Sequence, residues 1–404
     1  MTDTLKPRDG KEVEDAVRWA LGNDKALELM GQGSKRAIGR PSQTDITLDL
    51  SGLTGVTLYE PAELVLSAKA GTPIAEIEAL IDKNNQQLDF EPMDYGPLLG
   101  RETGQGTIGG VIAANLSGPR RIKAGAARDH FLGVTAVTGR AETIKSGGRV
   151  VKNVTGYDMC KVLAGSWGTL GAMTDVTIKV LPKPETQVSV LVEGLDDSQA
   201  CAAMAAAMGS SCDVSGAAHL PDHVASYFDG LPKAEAATVL RLEGVAPSVA
   251  HRQEALAALM KPFGPVTVLD EKVSEALWRC VRQVRPFAAD SALKRPLWRI
   301  STAPRHAHRL VDLITPAAQT FYDWGGGLVW VAMPFEDEAD AGSVRRAVAE
   351  LGGHATLVRA PASLRASVDV FEPQGAGLAA LSKRVKEGFD PKGVLNPGRM
   401  WAGV

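Results

Sequence analysis

The sequence predicts an α+β protein built from two domains, and three observations lead to this prediction. At 404 residues, the chain is longer than the roughly 250–300 residues at which a single hydrophobic core stops growing. Its 45% hydrophobic and 23% charged residues are those of an ordinary folded protein. Short β-like runs alternate with helical patterns, and the strands outnumber the helices.

Charge and cysteine content exclude several classes of protein. The net charge is −3, and basic residues are interspersed with acidic ones, so no basic face for nucleic acid is expected. No signal-peptide pattern is found, and no apolar run reaches the roughly 18–20 residues of a membrane helix. The four cysteines are too widely spaced for zinc or iron–sulfur ligation. We expect a cytoplasmic protein, at most peripheral to a membrane, with no metal site.

The first half of the chain favours strands joined by glycine-rich turns. A helix should follow them, with Thr72 as its cap, Pro73 in its first position and apolar residues at helical spacing from Ile74 to Ile81. The predicted strands cover residues 26–30, 46–50, 56–60 and 64–70.

Two prolines mark the predicted domain boundary. Pro182 and Pro184 end a strand-like run that begins near Met173. Beyond them, the order of elements is typical of a β-α-β-β-α-β ferredoxin-like sandwich, and no internal sequence repeat is found. The predicted elements are strands at 188–192, 237–242 and 265–269, a helix from Asp197 or Ser198, and a helix over 248–261.

The first glycine-rich loop follows a predicted strand and is suited to an anion. Glycines permit positive φ and allow consecutive N–H groups to turn toward a phosphate, while Ser34 would donate a hydrogen bond and Lys35 would add positive charge. A plain tight turn would explain the same glycines, and the Gly-Lys-Ser/Thr of a P-loop is missing. The predicted binding residues of this loop are Gly31, Gln32, Gly33, Ser34 and Lys35.

The second loop resembles a nicotinamide-dinucleotide fingerprint in spacing only. Gly104, Gly106 and Gly109 match G-x-G-x-x-G, and Asp129 stands at the distance of the expected acidic residue. The approach is rich in proline and glycine instead of a buried strand, and Gly118 followed by proline limits the next helix to about two turns. We therefore reject a Rossmann site and retain a glycine-lined surface suited to phosphate or flavin.

Together with a third glycine cluster near Gly168, these loops resemble the FAD domain of the vanillyl-alcohol-oxidase/PCMH flavoprotein family. The resemblance spans roughly residues 5–184. Its motifs lie at residues 106–110 with Asn115, 128–133, 152–158 and 168–171. The stretch Lys-Asn-Val-Thr-Gly-Tyr-Asp at 152–158 is similar to the branch that oxidises 2-hydroxy acids such as D-lactate and glycolate.

The resemblance implies the architecture and most of the cofactor site. It implies a PCMH-type FAD-binding domain of two α/β subdomains over residues 1–182 and a ferredoxin-like α+β cap domain over 183–385. A tail over 386–404 would return to the flavin. Beyond the first loop, the implied FAD-binding residues are Gly106, Thr107, Ile108, Gly109, Gly110, Asn115, Ser117, Gly118, Arg128, Asp129, Gly168, Gly171, Val176 and Asn396.

The chain also departs from this family. Many relatives attach the flavin through a histidine in the first loop, where this chain has Ser34 and Lys35, so the FAD should be non-covalent. Trp167 stands where catalytic relatives usually carry glutamate. The chain also lacks the Gly-His-x-Gly-Asp-Gly-Asn-x-His-like stretch that supplies metal-ligating and basic histidines in hydroxy-acid dehydrogenases.

No histidine pair in the sequence forms a convincing base or metal site. Pro221 separates His219 from His223, and we expect His306 and His308 to share a strand face without a nearby carboxylate. The candidate catalytic residue is Arg299 on a predicted strand, because a planar guanidinium can clamp a substrate carboxylate. A surface or interdomain salt bridge is the alternative for this arginine.

These features predict an FAD-dependent oxidoreductase subunit of a glycolate-oxidising complex. Its expected partners are a homologous flavin subunit, which would carry the substrate base, and an iron–sulfur subunit that passes electrons to a quinone-type acceptor. Two alternatives stay open: a stand-alone FAD-dependent 2-hydroxy-acid dehydrogenase, and a non-catalytic scaffold with structural FAD.

Overall fold

The structure is a computed structural model that describes residues 3–149, 156–228, 230–231, 235–288, 293–334 and 339–404. Residues 152–155 of the hydroxy-acid motif lie outside this range. Packing divides the chain into two compact units. Unit 1 comprises Met1–Ser117, Gly125–Pro182 and Pro373–Val404, and unit 2 comprises Gly118–Ala124 and Lys183–Glu372. The domain limits 182/183 and 385/386 stay predictions.

Unit 1 contains a parallel sheet and a larger antiparallel sheet. The strands are β1 (Asp3–Leu5), β2 (Leu27–Met30), β3 (Ile46–Asp49), β4 (Val56–Glu60), β5 (Val65–Lys69), β6 (Gln86–Gln87), β7 (Phe131–Thr138), β8 (Thr143–Gly147), β9 (Gly171–Lys179) and β10 (Leu181–Pro182). The orders are β1-β3-β2 in the parallel sheet and β4-β5-β9-β7-β8 in the antiparallel one, while β6 pairs with β10. The helices are α1 (Gly10–Gly22), α2 (Ile74–Asp82), α3 (Ile108–Ala114), α5 (Met159–Leu163) and α13 (Ala376–Phe389).

The core around the parallel sheet includes the end of the chain. Helix α1 begins after Asp9, whose carboxylate accepts a hydrogen bond from Glu12 N at 2.9 Å. Its apolar residues recur at helical spacing, and Val17 is packed with Leu27 of β2 and with Leu395 of the tail. Leu395 also forms a parallel bridge with Leu27, so the last residues are part of the fold of unit 1.

The start of α2 differs from the prediction. Pro73 is the cap residue and not the first helical position, and it has no side-chain cap bond. Thr72 does not cap the helix, because its hydroxyl donates to Lys69 O at 2.7 Å and accepts from Gly55 N at 3.0 Å. The threonine thus closes the turn after β5 and ties it to the residue before β4.

Unit 2 is built on one eight-stranded sheet. Its strands are β11 (Thr186–Glu193), β12 (Gly216–Leu220), β13 (Ala237–Gly244), β14 (Val266–Leu269), β15 (Leu297–Ser301), β16 (Gln319–Asp323), β17 (Leu328–Ala332) and β18 (His354–Arg359). Its helices are α4 (Arg121–Ala124), α6 (Asp197–Met208), α7 (Asp222–Ala225), α8 (Ala246–Met260), α9 (Glu271–Arg282), α10 (Ala307–Asp312), α11 (Ala341–Leu351) and α12 (Ala362–Ser367).

The ferredoxin-like order predicted after the boundary is confirmed, and it occurs twice. The antiparallel sheet runs β14-β11-β13-β12-β16-β17-β15-β18. Its first four strands, with α6 and α8, form a β-α-β-β-α-β arrangement, and the last four repeat it with α10 and α11. The halves join through β12 and β16, where His219 pairs with Tyr322. The two halves share the order and packing of their elements but not their residues, so no repeat is found in the sequence.

The prediction that His306 and His308 share a strand face is wrong. His306 ends a 3-10 turn, Pro304–His306, and His308 lies on α10. Pro304 occupies the first position of the turn, where the amide N–H that proline lacks is not needed, so it starts helical structure here. No helix in the described part of the chain has the length and apolar character needed to cross a bilayer.

Candidate functional site

A cavity lies within unit 1 at the ends of β2 and β9. Ten predicted FAD-binding residues line it, together with residues that sequence reasoning missed. The predicted ones are Gly31, Gln32, Gly33, Ser34, Lys35, Thr107, Gly109, Gly110, Gly168 and Gly171. The missed ones are Glu28, Leu29, Met30, Arg36, Leu50, Ala70, Ala113, Trp167, Ala172, Met173 and Arg399.

The first glycine-rich loop forms one wall of this cavity. It follows β2 directly, and Gly33 has a φ of +78°, a conformation in which a side chain would be strained. Ser34 and Lys35 are both buried, and Lys35 Nζ donates to Ser34 Oγ at 3.1 Å. The loop therefore presents a hydroxyl and an ammonium group to the cavity.

Lys35 is a buried cation without an ion-pair partner among the described residues. Among the described residues, no carboxylate lies within 4.0 Å of its ammonium group. Burial lowers the pKa of Lys35 to about 8, Asp94 opposes the shift, and Arg399 adds to it. A bound anion would supply the missing negative charge.

The second loop packs closely against the first. Thr107 caps α3 by accepting a hydrogen bond from Gly110 N at 3.3 Å. A Cβ on Gly31 would lie 2.8 Å from Thr107 Oγ1, and a Cβ on Gly109 would lie 2.8 Å from Ala70 O. Both positions need glycine: a larger residue at position 31 would push the two loops apart, and one at position 109 would push the start of α3 away from the end of β5.

The tail fastens the third glycine cluster to β2. Asn396 donates from Nδ2 to Trp167 O at 2.9 Å and accepts at Oδ1 from Leu29 N at 2.9 Å. Gly168 has a φ of +75°, and a Cβ there would lie 2.8 Å from Asn396 Nδ2. The asparagine is fully buried and thus acts behind the cavity wall.

Arg399 extends from the same tail to the first loop. Its guanidinium donates to Lys35 O at 3.1 Å and lies 5.5 Å from the centre of the Trp167 ring. Arg399 and Trp167 both line the cavity, and both lie far from the first loop in sequence.

The remaining predicted residues do not line the cavity. Some of them form hydrogen bonds between neighbouring segments: Gly106 O accepts from Ile74 N at 2.9 Å, and Asn115 Oδ1 accepts from Arg128 N at 3.0 Å. Gly118 belongs to unit 2, where its carbonyl accepts from Trp324 Nε1 at 2.9 Å. The full set is Gly106, Ile108, Asn115, Ser117, Gly118, Arg128, Asp129, Val176 and Asn396.

Arg299 lies on β15 in unit 2, opposite Trp330 and Thr356. Its guanidinium carbon is 4.8 Å from the centre of the Trp324 ring. Its Nε atom is buried and has no hydrogen-bond partner among the described residues. In the same part of the chain, no three His, Cys, Asp or Glu side chains gather as a metal site would require.

Two family models match the chain. One, described as an FAD binding domain, matches residues 4–147. The other, the C-terminal domain of FAD-linked oxidases, matches residues 371–400. The matches indicate the class of FAD-linked oxidases, and FAD is confirmed as the cofactor.

Curated relatives narrow this class. The chain is 34% identical to the glycolate oxidase subunit GlcE of Escherichia coli K12 over 96% of each chain. It is 28% identical to the glycolate oxidase subunit GlcD of Bacillus subtilis 168, over 73% of this chain and 68% of that protein. The chain belongs to the family of FAD-linked oxidases that includes the glycolate oxidase subunit GlcE, and the resemblance noted in the sequence is confirmed.

Solved structures show the same fold. An alkyldihydroxyacetonephosphate synthase matches with a TM-score of 0.72 and 17% identity, over 98% of this chain and 75% of that one. The 4-ethylphenol oxidase from Gulosibacter chungangensis matches with a TM-score of 0.71 and 13% identity, over 99% and 89%. The predicted α+β FAD-binding fold is thereby confirmed.

Proposed function

We propose that this chain is the FAD-binding subunit of a glycolate oxidase complex that converts glycolate to glyoxylate. The observation that supports FAD binding is Lys35, a buried ammonium without a carboxylate partner in a glycine-lined cavity. The glycolate part of the proposal rests on the similarity to the glycolate oxidase subunits GlcE and GlcD. The pyrophosphate of FAD is an anion of the required kind, and the glycine-lined loops can turn backbone N–H groups toward it.

The FAD is held non-covalently. Among the described residues that line the cavity there is no histidine, cysteine or tyrosine, and these are the side chains that attack a flavin ring as nucleophiles. The first loop carries Ser34 and Lys35 at the place where a linking histidine is expected in many relatives. Binding therefore rests on hydrogen bonds and charge.

Each part of the site has its own task. FAD supplies the redox chemistry, accepting electrons and passing them on. Lys35 and the N–H groups of the first loop hold the pyrophosphate. Gly31 lets the two loops approach, and Gly109 lets α3 pack against Ala70. Asn396 fixes the turn at Trp167 and Gly168, so the wall opposite the first loop keeps its shape.

Substrate oxidation takes place on a partner subunit. This chain lacks the histidine-rich stretch expected of the hydroxy-acid dehydrogenases. Its relatives include the glycolate oxidase subunits GlcE and GlcD, names that imply a complex of several subunits. A homologous GlcD-like flavin subunit would remove the hydride. An iron–sulfur subunit would pass the electrons to a quinone-type acceptor, with the complex in the cytoplasm, peripheral to the membrane.

The test uses the full chain, alone and co-expressed with a GlcD-like flavin subunit and an iron–sulfur subunit. Acid precipitation of the chain alone should release its FAD into the supernatant. Glycolate-dependent reduction of a dye should be negligible with the chain alone and substantial with the three subunits together. FAD retained in the precipitate would contradict non-covalent binding. Turnover by the chain alone at the rate of the complex would overturn the division of labour and favour the stand-alone dehydrogenase.

A further inference from the structure

Unit 2 contains a group of cations around one tryptophan, apart from the residues that line the FAD cavity. We call it the Trp324 cluster, consisting of Arg121, Arg299, Trp324 and His354. Arg121 lies on α4, Arg299 on β15, and His354 at the start of β18. Three separate chain segments thus bring basic side chains to one point of unit 2.

The tryptophan is a fixed platform for the two arginines. Trp324 is 6% exposed, and its Nε1 donates to Gly118 O at 2.9 Å. The guanidinium carbon of Arg121 lies 4.3 Å from the ring centre, and that of Arg299 lies 4.8 Å from it. Stacking on a pinned indole ring limits the rotation of both guanidinium groups.

The turn that carries Trp324 is itself rigid. Asp323 Oδ1 accepts from Trp324 N at 2.7 Å. Gly325 and Gly326 follow with φ values of +64° and +95°, and a Cβ on Gly326 would lie 3.1 Å from Pro304 O. The sequence Trp-Gly-Gly-Gly, which predicts a tight turn, is therefore required to place the indole.

Arg299 has donors that the protein leaves free. Its Nε is buried and unpaired, and across the described residues its guanidinium has neither an ion-pair partner nor a hydrogen-bond acceptor. A buried donor without an acceptor is unfavourable unless a ligand or water fills the place. Arg120, a buried arginine of unit 2, is by contrast paired with Glu243 at 3.1 Å.

The cluster carries a net positive potential. Desolvation by the surrounding protein lowers the pKa of His354, and the positive charges of Arg299 and Arg121 lower it further. Part of the residue still reaches the surface. Glu372 opposes this shift, but its carboxylate is already engaged by Arg345 and by Ala355 N at 2.9 Å. The positive charge of Arg299 therefore remains available to a ligand.

We infer that the Trp324 cluster binds a small monocarboxylate anion. A guanidinium presents two parallel N–H donors that match the two oxygens of a carboxylate, and a second arginine adds charge from the side. Asp323 next to the ring offsets part of the positive charge, so a single negative charge suits the cluster better than a phosphate dianion. The inference does not depend on which subunit oxidises glycolate.

The test is a binding titration of the full chain with glycolate, with glycolamide as the neutral analogue and inorganic phosphate as the competing anion. Calorimetry should give saturable glycolate binding, at least tenfold weaker in Arg299→Gln and Arg121→Gln. The control Arg309→Gln, on an exposed arginine of α10, should bind as the wild type does. Unchanged thermal unfolding curves in all variants would show that they are folded.

Three results would overturn the inference: equal affinity for glycolamide, unchanged affinity in Arg299→Gln, or tighter binding of phosphate than of glycolate. A second measurement needs no variant of the arginines. In histidine-labelled wild-type chain, with the His354 signal assigned from His354→Gln, saturating glycolate should raise the pKa of His354. An unshifted His354 titration would place the carboxylate elsewhere. Dye reduction by the isolated chain would count against the proposed function and leave this inference intact.

Discussion

Lys386 Nζ lies 2.7 Å from Asp390 Oδ2, and both side chains are buried inside unit 1. The same ammonium group donates to Thr169 O at 2.7 Å and to Leu395 O at 2.9 Å. Asp390 in turn accepts from the backbone N–H groups of Val394 and Leu395. This buried pair joins α13, the tail and the turn after Gly168, and so supports the wall of the unit 1 cavity from behind.

Lys386→Met should lower the free energy of unfolding by about 3–5 kcal/mol, because it leaves the buried Asp390 carboxylate without its cation. Urea unfolding followed by tryptophan fluorescence measures the loss. Lys386→Met combined with Asp390→Asn should recover part of it, since the uncompensated charge is then removed.

The control for this prediction is Lys383→Met on the exposed face of α13, whose side chain is 67% exposed. It should change the unfolding free energy by less than about 0.5 kcal/mol. A loss of similar size in both single variants would show that the pair has no special role.

Gly109→Ala should destabilise the chain by about 1–3 kcal/mol and weaken FAD binding, because its new Cβ would lie 2.8 Å from Ala70 O, a backbone atom with no freedom to rotate away. Thermal unfolding and FAD titration check both effects. Gly106→Ala is the matched control, because a Cβ on Gly106 would meet no described atom within 4 Å, so the chain should keep its unfolding temperature. An equal loss of stability in both variants would contradict the close approach assigned to Gly109.

The affinity for FAD should fall as the pH rises above about 8. Burial sets the pKa of Lys35 to about 8 in the free chain, and a pyrophosphate beside the ammonium group would raise it. Below pH 8, the lysine is protonated with or without FAD, so this group makes the affinity independent of pH. Above it, binding must take up a proton, and the affinity falls by up to about tenfold per pH unit.

Fluorescence titrations of FAD between about pH 6 and about pH 10 measure this profile. Lys35→Met should bind weakly with no such fall. A wild-type affinity that stays constant above pH 8, or an identical fall in the variant, would contradict the role given to Lys35.

The sequence predicted the parts of the site that depend on local backbone chemistry. Gly31, Gly33 and Gly109 are recognisable because turns and close approaches need glycine wherever they occur. Helix α3 also ends after two turns, as the following glycine and proline predict. Such signals are contained in a few neighbouring residues.

Features that depend on distant contacts were missed. Trp167 and Arg399 line the cavity only because the tail folds back through Asn396, a contact between residues 229 positions apart. The prediction for His306 and His308 failed because alternation alone does not separate a strand from a helix when a proline starts the segment. The repetition of the ferredoxin-like arrangement in unit 2 was also not predicted. The two halves share the order and packing of their elements but not their residues.

The most direct test of the central claim is a calorimetric titration of the FAD-free full chain with FAD, compared with Lys35→Met and the exposed control Lys383→Met. The wild type and the control should bind one FAD per chain with equal affinity. Lys35→Met should bind about 10–100-fold more weakly, because a charge-assisted contact to the pyrophosphate is lost. Wild-type chain that binds no FAD, or Lys35→Met that binds it as tightly as the wild type, would contradict the account.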